Sequence, residues 1–493
     1  MVFRLRRTVA VVAIAFAVPL LVLLASVRTS VGFWDTGDLQ TVAWIAGIPY
    51  PTGFPGYVLI GWAWTHALPV ASVAARLNAL SAVSLCAAAA TITALALLLD
   101  VSPPLAVLAG WTFVFAREVW WRGTYADVHP LGFAVAFAAL ALAVRWVWRA
   151  ETRALTAAII VAGAAVAIDN TTVLLLLGGI VVVAARRPPL EPVVNALSIA
   201  GVLIVLTYAY LPLRSAYVTS HRLDPTLTLG VPPGRPFWDD HHPATRDGFR
   251  ALVAGTEWGP SESLVRVATP HAIGATLDRF GPLLRADMPQ GLLFVAAVGI
   301  GFLLAQSPLV GIGLLVAALL PALFGASYPV EADPGRYGFG LYAVAALGIA
   351  LAADRTVRAF GRERPAVALT VVCGLLGLAV VHDVARGRAF FDTRGDTRAS
   401  ALGARVADAT RDGAVVVAVW DWATPLAYKA YVERGLGRRI ILCALPEDYL
   451  DEYAAWMRGH QVAIVSDGEP DLPGYRTRAL SGGTPQVYEV LPP

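Results

Sequence analysis

Residues 33–57 read FWDTGDLQTVAWIAGIPYPTGFPGY and follow directly on the first long apolar run of the chain. Asp35 and Asp38 stand three residues apart beside Trp34, and a dense run of Pro49, Pro51, Gly53, Pro55 and Gly56 follows. No regular helix persists through that Pro/Gly segment. Carboxylates beside hydrocarbon are costly, so where they occur next to a membrane span they tend to mark a site. The competing reading is an exposed loop with solvated aspartates.

The composition sets the class. The chain has 493 residues, 57% hydrophobic and 15% charged, against about 25% charged in a soluble protein. It is read as a polytopic α-helical membrane protein with some mass outside the bilayer. The net charge of +3 sits as short arginine clusters between apolar runs, which gives no nucleic-acid footprint. Lys429 is the one lysine, a usage that suits a GC-rich bacterial genome. Cys86, Cys373 and Cys443 form neither a disulfide framework nor a zinc pattern. The start, MVFRLRR before an apolar run, reads as an uncleaved signal-anchor.

A span needs about 20 apolar residues. Eleven spans are expected, near 8–27, 74–99, 104–118, 128–148, 154–169, 171–186, 193–212, 290–306, 308–327, 338–353 and 366–382. Residues 54–68 are apolar enough for another. Arginine placement decides against it: eleven spans put the clusters at Arg4, Arg145, Arg186 and Arg355 all on the inside, as the positive-inside rule asks. Residues 54–68 are therefore read as a helix in the outer interface, with Trp62 and Trp64 at headgroup depth. The N-terminus is then cytoplasmic, and the loops 28–73 and 213–289 and the tail are extracytoplasmic. Asp35, Asp38, Glu118, Asp127, Glu331 and Asp333 converge on that outer face.

The segment 213–289 is too long for a simple connector. Its Asp239, Asp240, His241 and His242 lack a partner ligand at a telling spacing, so no metal is assigned there. The tail, 395–493, changes character. Short apolar strands at 414–419, 439–444 and 461–466 alternate with helices at 424–434 and 446–459, the pattern of a small parallel α/β domain. The turn after its first strand, WDWATP, carries no dinucleotide fingerprint. Asp421 there is read as a helix cap, with Trp420 and Trp422 as packing.

Several stretches, taken in order, resemble one family. Asp35-Thr36-Gly37-Asp38 is similar to its D-x-G-E motif, and 46–57, AGIPYPTGFPGY, to its L-G-x-x-H-P-P-G-Y-P-L-Y. Arg76-Leu77-Asn78-Ala79-Leu80-Ser81-Ala82 resembles R-x-N-x-x-S-A; Ala126-Asp127-Val128-His129 resembles A-E-V-Y. Leu211-Pro212-Leu213-Arg214 and Asp333-Pro334-Gly335-Arg336-Tyr337 resemble its L-P-L-R and D-x-x-R-Y elements. The family is the protein O-mannosyltransferase-like branch of the GT-C membrane glycosyltransferases, long catalogued as a domain of unknown function. The chain departs from it at Asp38 and Asp127, where the family has Glu, at Tyr50, where it has His, and at Thr52, where it has Pro.

The resemblance implies a GT-C-like transmembrane domain over 1–390. It also implies a function: transfer of a sugar, mannose by analogy, from a polyprenyl-phosphate carrier to an acceptor hydroxyl on the extracytoplasmic face. The transfer is inverting, and no cofactor or metal is implied. The setting is the plasma (inner) membrane of a bacterium, and the acceptor is a protein, a lipid or a glycan. Asp35 is expected to be the catalytic base, with Asp38 supporting it or binding substrate. Tyr50, Arg76, Asn78, Asp127, His129, Arg214, Arg336 and Tyr337 are expected to bind donor or substrate, the arginines by forking onto phosphate oxygens. Arg76 and Arg214, at span ends, also suit interface anchors, and Asp127 suits a helix cap. A lipid-linked sugar transporter or flippase and a non-catalytic scaffold are the rival readings.

Overall fold

The computed structural model describes residues 2–256, 264–267, 269–288, 290–328, 333–361 and 363–493. Glu331 lies outside them.

Long apolar stretches form helices because helix formation alone satisfies every backbone N–H and C=O without water. Each of the eleven expected spans coincides with a helix. Among the described residues, seven helices are long and apolar enough to cross a bilayer, or eight if Pro270–Asp287 and Gln290–Gln306 count as one bent span. Pro103–Val114, Thr152–Ile168 and Asn170–Val183 are apolar but shorter. The spans at the margin of the bundle show their apolar faces: Leu197, Ile199, Val202 and Val205 on one helix, and Val371, Leu375, Leu378 and Val381 on another, are exposed. Such surfaces are covered by lipid, and the protein is a multi-pass membrane protein. The bundle core is lined by Leu85, Ile92, Phe113, Phe137, Leu314 and Leu347.

Two shorter helices sit at one end of the bundle. Helix α2 (Trp34–Ile45) carries both aspartates, so the first acidic motif is helical rather than an irregular loop. After it, Gly53 adopts φ +81°, a left-handed turn open to glycine, and Pro55 starts helix α3 (Pro55–Ala67) at a position that needs no N–H donor. This is the helix expected at 54–68. Trp62 is exposed, while Tyr57, Val58 and Gly61 are buried. The segment 213–289 is also largely helical where it is described, with Tyr210–Ser220, Arg246–Ala254 and Pro270–Asp287.

The tail is a mixed sheet, not the purely parallel one expected. Strands β1 (Val415–Ala418), β2 (Ile440–Cys443) and β3 (Val462–Ser466) are parallel, in the order β2-β1-β3. Two further strands, β4 (Arg476–Ala479) and β5 (Gln486–Leu491), extend the sheet antiparallel from β3. The sequence Arg476-Thr477-Arg478-Ala479 gives β4 no apolar run, since an exposed edge strand is protected by charge. Along β1, Val416 and Ala418 face one core layer with Leu402, Val406 and Leu426. Val415 and Val417 face the other with Tyr453 and Trp456. A sheet covered on both faces reads as a continuous apolar run. The helix after β1 (Trp420–Ala427) starts at Trp420, four residues earlier than expected.

Candidate active site

Helix α2 and the tail helix Trp420–Ala427 pack together so closely that a Cβ on Gly37 would lie 2.9 Å from Thr424 Oγ1 and 2.7 Å from the Gly32 carbonyl. Asp35, in the first turn of α2, therefore meets the tail. Trp420 Nε1 donates to Asp35 Oδ1 at 3.2 Å. The other carboxylate oxygen, Oδ2, is 3.2 Å from Arg336 Nη1. Asp35 remains 32% exposed, so the carboxylate is both fixed and open on one side.

Asp38, almost one turn further along, is buried at 0% exposure. Neither of its oxygens has a partner in hydrogen-bond geometry. Burial first, then the nearby Asp240 and Asp35 carboxylates, push its pKa well above the usual carboxylate range, against a weaker opposing influence from the Tyr50 backbone N–H. The two aspartates thus have different environments: one is partly exposed and ion-paired, the other is buried with its pKa raised.

Arg336 lies in the short turn Pro334–Tyr337. What holds that turn is Arg122, at the end of helix α6 (Arg117–Arg122). Its guanidinium is 1% exposed and pairs with Asp333, with Asp127 at 3.8 Å and with Glu118 at 3.9 Å. It also donates to Tyr125 Oη at 2.8 Å. A buried arginine with several anionic partners is a strong fixed point. The sequence reading passed over Arg122; its signal was an arginine in the aromatic Glu118-Val119-Trp120-Trp121-Arg122 run directly before the Asp127 motif.

Asp127 caps the helix Val128–Arg149, accepting from the His129 backbone N–H at 3.0 Å. Burial alone would raise its pKa; His129, Arg336 and Arg122 outweigh that and hold it below the usual carboxylate range. His129 Nδ1 is 2.8 Å from Asp169 Oδ2, and its ring lies 5.2 Å from that of Tyr337. Asp169, in the turn Asp169-Asn170-Thr171-Thr172, accepts from Thr171 N and Oγ1 as well. Tyr50 sits beside Trp420, their rings edge to face at 5.8 Å. Burial, then the Asp35 charge, raises its hydroxyl pKa well above the ordinary value. The structure thus brings Asp35, Asp38, Tyr50, Asp127, His129, Arg336 and Tyr337 to one region.

Three candidates are drawn elsewhere. The Arg76 guanidinium caps the end of α3, donating to the carbonyls of Thr65 and of Leu68, the latter at 2.9 Å, over the Trp44 ring. Arg214 donates to the Ile45 carbonyl at 2.9 Å, closing the end of α2. Asn78 is fully buried, accepts from Gln40 Nε2 and the Ala126 N–H, each at 2.7 Å, and donates to the Arg28 carbonyl at 2.8 Å. These three build the frame of the site with their polar atoms, because helix ends and crossing chain segments need partners for their backbone groups. Trp420 corrects the sequence reading in the other direction: it was expected only to pack.

Asp239 and Asp240 are paired with His242 and His241, each at 2.7 Å. Among the described residues no group of three or more His, Cys, Asp or Glu is arranged to hold a metal ion.

The comparisons with known proteins follow the same lines. Residues 35–191 match the sequence model of the protein O-mannosyl-transferase TMEM260 N-terminal domain. No curated protein matches the chain. Among solved structures, ArnT from Cupriavidus metallidurans in the apo state superposes over 97% of both chains with a TM-score of 0.59 at 12% identity. ArnT bound to undecaprenyl phosphate does so over 97% of both chains, at 0.58 and 13%. The mycobacterial arabinofuranosyltransferase AftD covers 97% of this chain and 41% of its own, at 0.51 and 13%. At such identities the superpositions speak for the fold. Fold, family match and acidic site together define a membrane glycosyltransferase of the GT-C type. Within that class the chain is O-mannosyltransferase-like, a likeness whose matched segment opens at Asp35 itself.

Proposed function

We propose that this protein transfers a sugar, mannose in the first instance, from a polyprenyl-phosphate carrier to an acceptor hydroxyl, with Asp35 as general base. The observation that carries the reading is the Asp35–Arg336 pair. It sets a partly exposed carboxylate and a guanidinium 3.2 Å apart at the rim of a lipid-facing bundle. The acceptor O–H gives its proton to Asp35, and its oxygen attacks the anomeric carbon from the face opposite the phosphate. The carbon–oxygen bond to phosphate breaks, its electron pair stays on the phosphate, and the configuration inverts. Arg336 faces the charge that develops on the leaving phosphate. Burial of Asp38 disfavours a second full charge beside the base. The scheme needs no metal or cofactor. ArnT bound to undecaprenyl phosphate supports a carrier lipid of this chemistry, since the same fold accommodates it there. The arginine clusters support an arrangement in which the site and the tail face outward from a bacterial plasma membrane and the N-terminus faces the cytoplasm.

The test is sugar transfer by purified protein in a defined membrane, from radiolabelled polyprenyl-phosphate mannose to envelope protein and lipid. Wild type is expected to label an acceptor, and Asp35→Asn to lose about 10²–10⁴-fold in rate while folding normally. Flux of carrier-linked sugar across the bilayer without any labelled product, over mannose, glucose and arabinose carriers, would overturn the enzyme reading in favour of a flippase.

A further inference from the structure

The membrane domain does not complete the environment of Asp35 by itself. Of the hydrogen bonds to its carboxylate, one comes from Arg336 and the other from Trp420, 385 residues away in the chain. We propose that the C-terminal α/β domain is an integral part of the active site, and that Trp420 is a positioning residue that aims the Asp35 carboxylate through its indole N–H. This rests on the reading of Asp35 as the base.

Three observations carry it. First, Trp420 stands two residues beyond the carboxyl end of β1, as the first residue of the helix that follows. Ligand-facing residues of open α/β sheets gather at that edge, and here the edge is turned onto α2. Second, the indole ring is locked. It stacks on Phe237 with centroids 6.1 Å apart and planes 12° from parallel, and it meets Tyr50 edge-on. A donor-only N–H on a ring held between two aromatic neighbours fixes one carboxylate oxygen, while the guanidinium fixes the other. Third, the docking is built into the fold. The Ala74 N–H donates to Tyr428 Oη at 3.0 Å, tying the tail to the first turn of the helix Val73–Leu98. Gly37 has no room for a side chain against Thr424. Phe33 meets Trp422 edge-on at 5.7 Å. A domain that only decorated the surface would have no need to place a hydrogen-bond donor on the base.

The experiment uses the full chain in the transfer assay. Trp420→Phe keeps the stacked ring and removes the N–H. Trp420→His keeps a ring and restores a ring N–H. Arg478→Gln, on the exposed edge strand β4, is the control. Trp420→Phe is expected to lower kcat about 10- to 100-fold, the order of loss that follows a misplaced reacting group. The KM for donor should stay within about twofold, because uniform binding is untouched. Trp420→His should recover a large part of the rate, and Arg478→Gln should match wild type. Equal rates for wild type and Trp420→Phe, or equal losses in the Phe and His variants, would overturn the positioning role while leaving Asp35 as base. Full activity in Asp35→Asn would instead overturn the base assignment and the inference with it. If Trp420→Phe fails to yield monodisperse protein, Trp420→Gln, whose amide supplies an N–H without a ring, is compared with Trp420→Leu under the same criteria.

Discussion

Arg336 reaches Asp35 across 301 positions of sequence, Nη1 to Oδ2 at 3.2 Å, and it does so from a turn whose first acid, Asp333, is held by buried Arg122. Asp35–Arg336 and Asp333–Arg122 are thus two ion pairs joined through one short turn. Each link has a consequence that can be measured.

Arg336→Lys keeps the charge and loses the planar fork. Phosphate recognition by a bidentate guanidinium does not survive that exchange. The donor KM is expected to rise about tenfold, equivalent to roughly 1.4 kcal/mol, and kcat to fall as well because the charge on the leaving phosphate is less well met. Steady-state kinetics with varied carrier lipid decide it; unchanged KM and kcat would remove Arg336 from the site.

Arg122→Ala strips the partner from Asp333, Asp127 and Glu118 at a position that is 1% exposed. Asp127, 7% exposed, loses one of its pairing charges, and breaking a buried ion pair by removing one partner costs about 3–5 kcal/mol. Thermal unfolding in detergent should show a clear loss of Tm. In what remains folded, the 333–337 turn is released and transfer falls with it. A variant with wild-type Tm would mean the guanidinium is dispensable to the fold.

Asp38 gives a pH dependence with a definite sign. Its folded pKa is raised by burial and by Asp240 and Asp35. The folded protein thus holds a proton that the unfolded chain releases near pH 4. That contribution to stability is fully present below about pH 4 and is lost as pH rises through the folded pKa. Asp38→Asn, a neutral isostere, should therefore gain Tm relative to wild type as pH goes from 4.5 to 8. It should keep transfer within about tenfold, in contrast to the loss of a general base. Loss of all activity in a folded Asp38→Asn would show that its charged form is needed.

Gly37→Ala places a Cβ against Thr424 and the Gly32 carbonyl, both within 3.0 Å. Overpacking of this kind costs about 1–3 kcal/mol. Because the strain falls on the contact between α2 and the tail, limited proteolysis between the two domains should accelerate, and transfer should drop. An unchanged cleavage rate would argue that the contact yields without cost.

The class of this protein was legible in its sequence. Hydropathy is a local property, and a stretch of about 20 apolar residues has few options other than a helix in lipid. The same holds for β1, β2 and β3, whose apolar runs follow from burial on both faces, while the charged edge strand β4 gave no such signal. The acid pair at Asp35 and Asp38 could be located from the D-T-G-D motif, but not told apart. Only the packing makes one carboxylate partly exposed and paired and the other buried without a hydrogen-bond partner. The arginines show the limit most clearly. Arg76, Arg214 and Arg336 were all expected to fork onto phosphate, the first two also suiting interface anchors, yet two end on helix-terminal carbonyls and one on Asp35, while unheralded Arg122 anchors the network. Trp420, read as packing, touches Asp35. Charge pairing and hydrogen bonding between residues hundreds of positions apart leave no periodicity in sequence. They are decided by which helix ends the folded bundle brings together, and by the way the tail docks on α2.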